Sequence, residues 1–188
     1  MNIFIGCSAS NYISEEYFTD AKELLTELMK DNNLVFGACN SGLMGLSYDI
    51  TKSANNQVMG VCPAAYINDF NDLKCDEEIV TDSVSSRTEK VIEISDILLF
   101  LPGGIGTVYE LFTSIESKRC HEHDRPIIIY NCNGFYDKIL EFIDKLFSGN
   151  FARPKDRNTY YFANTYIDVL NFITNYKTDN KTKTLKKL

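Results

Sequence analysis

The chain has 188 residues, of which 44% are hydrophobic and spread in short runs, and a formal net charge of −7. That length suits one domain with a sizeable core, and no apolar run approaches the ~20 residues of a membrane-spanning helix. Residues Lys177 to Leu188 carry five lysines and one aspartate, a charge of +4 that leaves −11 on the body, and so acidic a body speaks against nucleic acid as a partner.

Asn2 to Gly6 reads as a first strand that begins without a basic region or cleavage site, so no secretory signal is expected. Cys7 to Asn11 is a small polar turn. Ser14 is placed to cap a helix to about Lys30, with Tyr17, Ala21, Leu24, Leu25 and Leu28 on one face. A second strand, Leu34 to Phe36, runs into a glycine-bearing loop, Gly37 to Gly45. A helix from Leu43 to Ala54 and a strand from Val58 to Cys62 complete a βαβαβ opening, which implies a parallel sheet. Pro63 to Asp76 reads as an irregular connection and Glu78 to Thr81 as a short edge strand. A helix then opens at Ser85 and runs to about Ser95. Beyond the central stretch come a strand over Pro126 to Tyr130 and an amphipathic helix from Tyr136 to Phe147. A short strand at Tyr160 to Phe162 and a helix from Tyr166 to Tyr176 close the order. The pattern predicts a doubly wound, Rossmann-like α/β fold, mainly parallel, with helices on both faces. Residues 1–176 form its single domain, and 177–188 a basic, disordered tail. The six cysteines, at 7, 39, 62, 75, 120 and 132, include no CxxC pair and read as reduced thiols of a cytoplasmic protein.

The central stretch is Ile97 to Leu101, then Pro102-Gly103-Gly104-Ile105-Gly106-Thr107, then an apolar helical pattern from Val108. Five continuous apolar residues suit a strand buried on both faces, and proline ends it. Three glycines in four positions let a ligand come close to the main chain. The helix that follows aims free N–H groups and its positive end at one spot, a ready site for phosphate. The spelling is neither a Walker loop nor a complete G-x-G-x-x-G fingerprint. In a doubly wound sheet, ligands bind outside the carboxyl ends of the strands where the winding reverses. The loops Cys7–Asn11, Gly37–Gly45 and Pro102–Thr107 are therefore expected to converge on one crevice.

Glu110 lies near the glycine turn and Arg87 opens the preceding helix. A carboxylate and a guanidinium at a phosphate site suit cleavage of a glycosidic bond: the first steadies an oxocarbenium ion or orients water, and the second stabilises negative charge. Thr107 to Glu110 and Ser86 to Glu89 also read as capping boxes, which would give both glutamates a purely structural role. Ser8 and Ser41 look like phosphate or hydroxyl contacts, not nucleophiles. Cys120-His121-Glu122-His123-Asp124 is too crowded in sequence to wrap one metal ion and reads as a polar loop. No lysine has a recognisable pyridoxal-phosphate setting.

Pro102 to Glu110 resembles the PGGxGTxxE motif of the Lonely Guy proteins, the cytokinin-riboside 5′-monophosphate phosphoribohydrolases, whose relatives are often labelled lysine decarboxylases. Gly42-Leu43-Met44-Gly45 is similar to their GLMG turn, Val58 to Pro63 to their strand ending in proline, and Arg87 to the arginine of their second motif. Asp124-Arg125-Pro126 and Asn133-Gly134-Phe135-Tyr136 resemble later landmarks. The resemblance implies a homodimer that hydrolyses the N-glycosidic bond of a purine nucleoside 5′-monophosphate, with no metal or organic cofactor, no nucleic acid and no membrane partner. It implies Arg87 and Glu110 as the catalytic pair and Gly103, Gly104, Ile105, Gly106 and Thr107 as the residues that hold the phosphate; Ser8, Gly42 and Thr88 are expected as further substrate contacts. The chain departs from the pattern at Thr88, where a lysine is usual, at Gly37-Ala38-Cys39-Asn40, where three glycines are usual, and at Ser117-Lys118-Arg119, where tryptophan and glutamine often stand. The alternative is a non-catalytic nucleotide or molybdenum-cofactor carrier of the same fold.

Overall fold

The structure, a computed structural model, describes residues 1–67 and 73–185, with side chains as far as Lys177. Its first half runs β1 (Asn2–Gly6), α1 (Glu15–Leu28), β2 (Asn33–Phe36), α2 (Gly42–Ser53), β3 (Val58–Pro63) and β4 (Glu77–Thr81). The second half runs α3 (Val84–Ile94), β5 (Ile97–Phe100), α4 (Ile105–Arg119), β6 (Ile127–Tyr130), α5 (Asp137–Ser148), β7 (Tyr161–Ala163) and α6 (Tyr166–Leu185). Of the connection expected between Pro63 and Asp76, residues 68–72 lie outside the described residues, and so do the side chains of nearly all the expected tail. Among the described residues no helix is long and apolar enough to cross a membrane.

The seven strands form one sheet in the order β4-β3-β2-β1-β5-β6-β7, and every pair is parallel. The winding reverses between β1 and β5, whose register sets Phe4 beside Leu98 and Gly6 beside Phe100. Alternation along each strand divides the core in two. Ile3, Ile5, Leu34, Phe36 and Leu99 point to one face and meet Leu24 and Leu25 of α1, Leu43 of α2 and Val169 of α6. Phe4, Val35, Leu98 and Phe100 point to the other and meet Val91 of α3 and Leu111 of α4. The inner strands are covered on both sides, which is why they read as unbroken apolar runs. At the edge, β4 keeps Glu77 and Glu78 exposed, and charge there discourages pairing with another sheet.

Two helix starts differ from expectation. α4 begins at Ile105 with Gly104 as its cap, so Thr107 lies inside the first turn and Glu110 in the second. The Thr107 hydroxyl does not cap; it donates to the Cys7 carbonyl at 3.1 Å. α3 begins at Val84, and its capping box joins Ser83 and Ser86 in place of Ser86 and Glu89. Ser83 Oγ accepts from the Ser86 amide at 3.1 Å, and Ser86 Oγ accepts from the Ser83 amide at 3.0 Å. In both cases a residue with good capping propensity sits three positions inside the helix, because the preceding residues already adopt the extended backbone a cap requires.

α2 is held against the loop after β1. The Met44 amide donates to the Ser8 carbonyl at 3.2 Å, and the Gly42 amide to Asn11 Oδ1 at 2.7 Å. Gly42 has φ +60°, and a Cβ there would lie 2.6 Å from both Ala9 C and Ser8 O. These are main-chain atoms, so nothing flexible can give way. Gly42→Ala is expected to destabilise the protein by at least about 2 kcal/mol, the combined scale of a left-handed alanine and an overpacked contact. Denaturant unfolding checks this, and a wild-type midpoint would contradict it.

Candidate active site

Three loops meet at the carboxyl ends of β1, β2 and β5. The chain leaving β5 is tied to β1 by the Leu101 amide, which donates to the Gly6 carbonyl at 2.9 Å, and by the Ser8 amide, which donates to the Pro102 carbonyl at 3.0 Å. The Thr107–Cys7 bond closes the same junction from the helix side. A Cβ on Gly103 would stand 2.2 Å from Thr107 Oγ1, so this glycine is required by packing inside the turn. Gly104 and Gly106 differ: a Cβ on either meets nothing within 4 Å, and the Ile105 side chain between them is 91% exposed. The first turn of a helix has no internal acceptors for its amides. Among the described residues no protein group accepts from the amides of Ile105, Gly106 or Thr107. The turn is therefore a bare, positively polarised patch of main chain at the switch point.

The gathered side chains form an ion pair. Arg87, from the first turns of α3, donates through Nη2 to Oε1 of Glu110 on α4. The two side chains are 15% and 4% exposed. Burial pushes the Glu110 carboxyl up to about 7 from its ordinary 4.5, and the Arg87 guanidinium pulls it part of the way back. The buried Arg87 Nε has no protein acceptor among the described residues. The second loop borders the same guanidinium, since a Cβ on Gly37 would lie 3.6 Å from Arg87 Nη1. Burial, and then the nearby Glu110, push the Cys7 thiol up, so it stays protonated beneath the pair.

The remaining expected contacts divide. Ser8 lies at the junction, but its hydroxyl accepts from the Ser10 amide at 3.1 Å. Thr107 reaches the patch through its amide alone. Thr88 is buried and turned into its own helix, where its hydroxyl donates to the Val84 carbonyl at 3.1 Å. Gly42 is occupied in seating α2. Ser41 ties its loop to the Ala9 carbonyl at 2.6 Å. His123 lies near the far end of α4, with Nε2 3.0 Å from the Ser114 carbonyl and Nδ1 accepting from the Arg125 amide. Sequence reasoning placed Gly37 and Asn11 on the converging loops but singled out neither. Their signal, a small or amide residue just after a strand, is common to most turns.

The family described as "Possible lysine decarboxylase" matches residues 44–173. The chain is 31% identical over 176 residues to cytokinin riboside 5'-monophosphate phosphoribohydrolase LOG1 of Arabidopsis thaliana, an alignment spanning 93% of this chain and 82% of that protein. The chain belongs to the Lonely Guy family. Another relative, LOG5 of the same plant, is 29% identical over 180 residues, spanning 95% of this chain and 79% of that one. Among solved structures, the Moco carrier protein from Chlamydomonas reinhardtii superposes with a TM-score of 0.68 at 18% identity, covering 95% of this chain and 98% of that one. At that identity the likeness is one of fold. The Lonely Guy motif residues Arg87 and Glu110 are the two that the structure brings together.

A carboxyl whose pKa rises on folding favours the native state most at low pH. Between about 4.5 and about 7, folded Glu110 holds a proton that the unfolded chain has lost, so its contribution fades as pH rises through that window. Glu110→Gln keeps a hydrogen-bonding amide and carries no charge to desolvate. Relative to wild type, the glutamine variant should therefore gain in melting temperature between pH 5 and pH 8. A difference that stays constant over that range would overturn the raised carboxyl pKa.

Proposed function

We propose that this protein hydrolyses the N-glycosidic bond of a purine nucleoside 5′-monophosphate, such as one carrying an N6-modified adenine, to free base and ribose 5-phosphate. The observation that carries the reading is the buried Arg87–Glu110 pair set beside a helix start whose amides have no protein acceptor among the described residues. Membership of the Lonely Guy family supports it, as do the names of its relatives. In this reading the amides of Ile105 to Thr107 receive the 5′-phosphate, and the openness at Gly104 and Gly106 admits it. The C1′–N bond then breaks, its electron pair leaving with the base. Ionised Glu110 offsets the positive charge developing on the ribosyl ring and orients the water whose oxygen bonds to C1′. That water's proton ends on the departing base. Arg87 holds the carboxylate in place, and its free Nε offers a further donor to the substrate. No metal or organic cofactor takes part.

The phosphate is the first test. At equal, sub-saturating concentration AMP should be cleaved and adenosine hardly at all, since adenosine leaves the phosphate patch empty and binds far more weakly; equal rates would sink the reading. Glu110→Gln should lower turnover at least ~100-fold, the scale of losing a positioned acid–base group. Because the ionised form is the active one, kcat/KM for AMP should rise between pH 5 and pH 8 with a midpoint near 7. The carrier alternative makes the opposite forecast: no free base from any nucleotide, and a phosphorylated pterin co-purifying with the protein.

We also propose that the protein works as a cytoplasmic homodimer without nucleic acid or membrane. No disulfide joins any two of the six cysteines, as suits a reducing compartment, and the acidic body repels polyanions. Ile105, Tyr109 and Phe112 follow one another along a face of α4 at 91%, 39% and 37% exposure, and an apolar stripe of that spacing suits a second copy. Light scattering should give twice the chain mass, and Phe112→Glu should lower it to one chain. A wild-type monomer across micromolar concentrations would rule the dimer out.

A further inference from the structure

The Asn133-Gly134-Phe135-Tyr136 landmark has no part in the chemistry above, yet its geometry is closely specified. After β6 the chain makes a tight turn in which Asn133 and Gly134 take φ +51° and +72°. A Cβ on Gly134 would lie 2.6 Å from Asp137 Oδ2. Asn131 organises the turn: its Oδ1 accepts from the Tyr136 amide at 2.7 Å, and its Nδ2 donates to Asp137 Oδ1 at 2.8 Å. Its own amide donates to the Ala163 carbonyl of β7 at 2.8 Å. The result is a tyrosine with no exposed surface, clamped at its main chain and ready to aim its hydroxyl.

That hydroxyl donates to the Leu101 carbonyl at 2.6 Å. Leu101 is the last residue before Pro102, and its amide is bound from the opposite side by Gly6 of β1. Leu101, the residue that launches the glycine turn, is thus held at both its polar groups, its amide by the β1 main chain and its carbonyl by Tyr136 at the cap of α5. We infer that Tyr136 is a positioning residue for the phosphate patch, setting through Leu101 the direction in which the amides of Ile105 to Thr107 point. Burial pushes its phenol well above the ordinary range, with Cys7 and Glu110 adding to the shift, so the hydroxyl remains a donor. This role rests on the proposed phosphoribohydrolase reading for its consequence in catalysis, but not for its consequence in the turn itself.

The test compares Tyr136→Phe with Tyr130→Phe, which removes another buried hydroxyl, one near Asp20 with no bond to the glycine turn among the described residues. In Tyr136→Phe, amide hydrogen exchange should quicken at Ser8, Leu101 and Val108, whose amides bond across the base of the turn. AMP and ribose 5-phosphate should each bind about tenfold more weakly, the scale of one buried hydrogen bond. KM for AMP should rise by the same factor while kcat stays within about twofold, because the patch acts on ground and transition states alike. Tyr130→Phe should lower the melting temperature and change none of these. Unchanged exchange at Ser8, Leu101 and Val108 in Tyr136→Phe overturns the inference, and so does an equal increase in Tyr130→Phe. If wild type neither binds nor cleaves AMP, the functional reading falls, and the exchange comparison still decides the role of Tyr136.

Discussion

A carboxylate that is 4% exposed has lost nearly all its water, and only a partner of opposite charge makes such burial tolerable. Glu110 finds that partner in Arg87, on the neighbouring helix, and most of the site follows from keeping the two together. α3 feeds β5 and α4 leaves it, so the strand that separates the two residues in sequence also fixes the distance between their helices. The Thr107–Cys7 bond and the Gly103 contact beneath it stop the start of α4 from shifting. Even so, the guanidinium does not restore the carboxyl to its ordinary pKa. The site holds a charge that the fold would be more stable without, as is usual where function and stability compete.

The sheet offers two glycine-bearing helix starts at its carboxyl edge, and they have different fates. The first amides of α2 are consumed within the protein, by Asn11 and by the Ser8 carbonyl. Those of α4 are left for something else. A helix dipole is present in both places, so it does not select the anion site. What selects it is which loop the chain has already filled with its own acceptors. Ser8 makes this division: its carbonyl occupies α2 while its amide braces Pro102, and the open start is therefore held by the closed one.

The strands were legible because parallel strands covered on both faces must be apolar throughout, and Ile97 to Phe100 or Ile127 to Tyr130 leave no other reading. The ion pair was legible as two residue types at motif positions, though not as a contact. The helix starts were misjudged where a hydroxyl residue has two possible uses. Thr107 reads as a cap from local sequence, but the carbonyl it binds belongs to Cys7, 100 residues earlier. Tyr136 was visible only as a landmark, because the meaning of its hydroxyl depends on Leu101, 35 residues away. The loop after β2 was hard to read for a related reason. Its Gly37-Ala38-Cys39-Asn40 stretch places Ala38 at φ +57°, so its shape follows from backbone strain that side-chain identities do not announce.

The reversal of winding at β1 has a further effect during synthesis. β1 lies between β2 and β5, and while β2 follows it closely, its other neighbour arrives late: the Asn2 amide bonds to Asp96, 94 residues further on. At ribosomal elongation rates that interval lasts roughly 5 to 20 s. Through that time one side of an almost wholly apolar strand, Asn2 to Gly6, presents unpaired main-chain groups to its surroundings. The mature sheet guards its β4 edge with glutamates, but nothing comparable guards this one. The nascent chain, and not the finished protein, is where this topology is most open to pairing with the wrong strand.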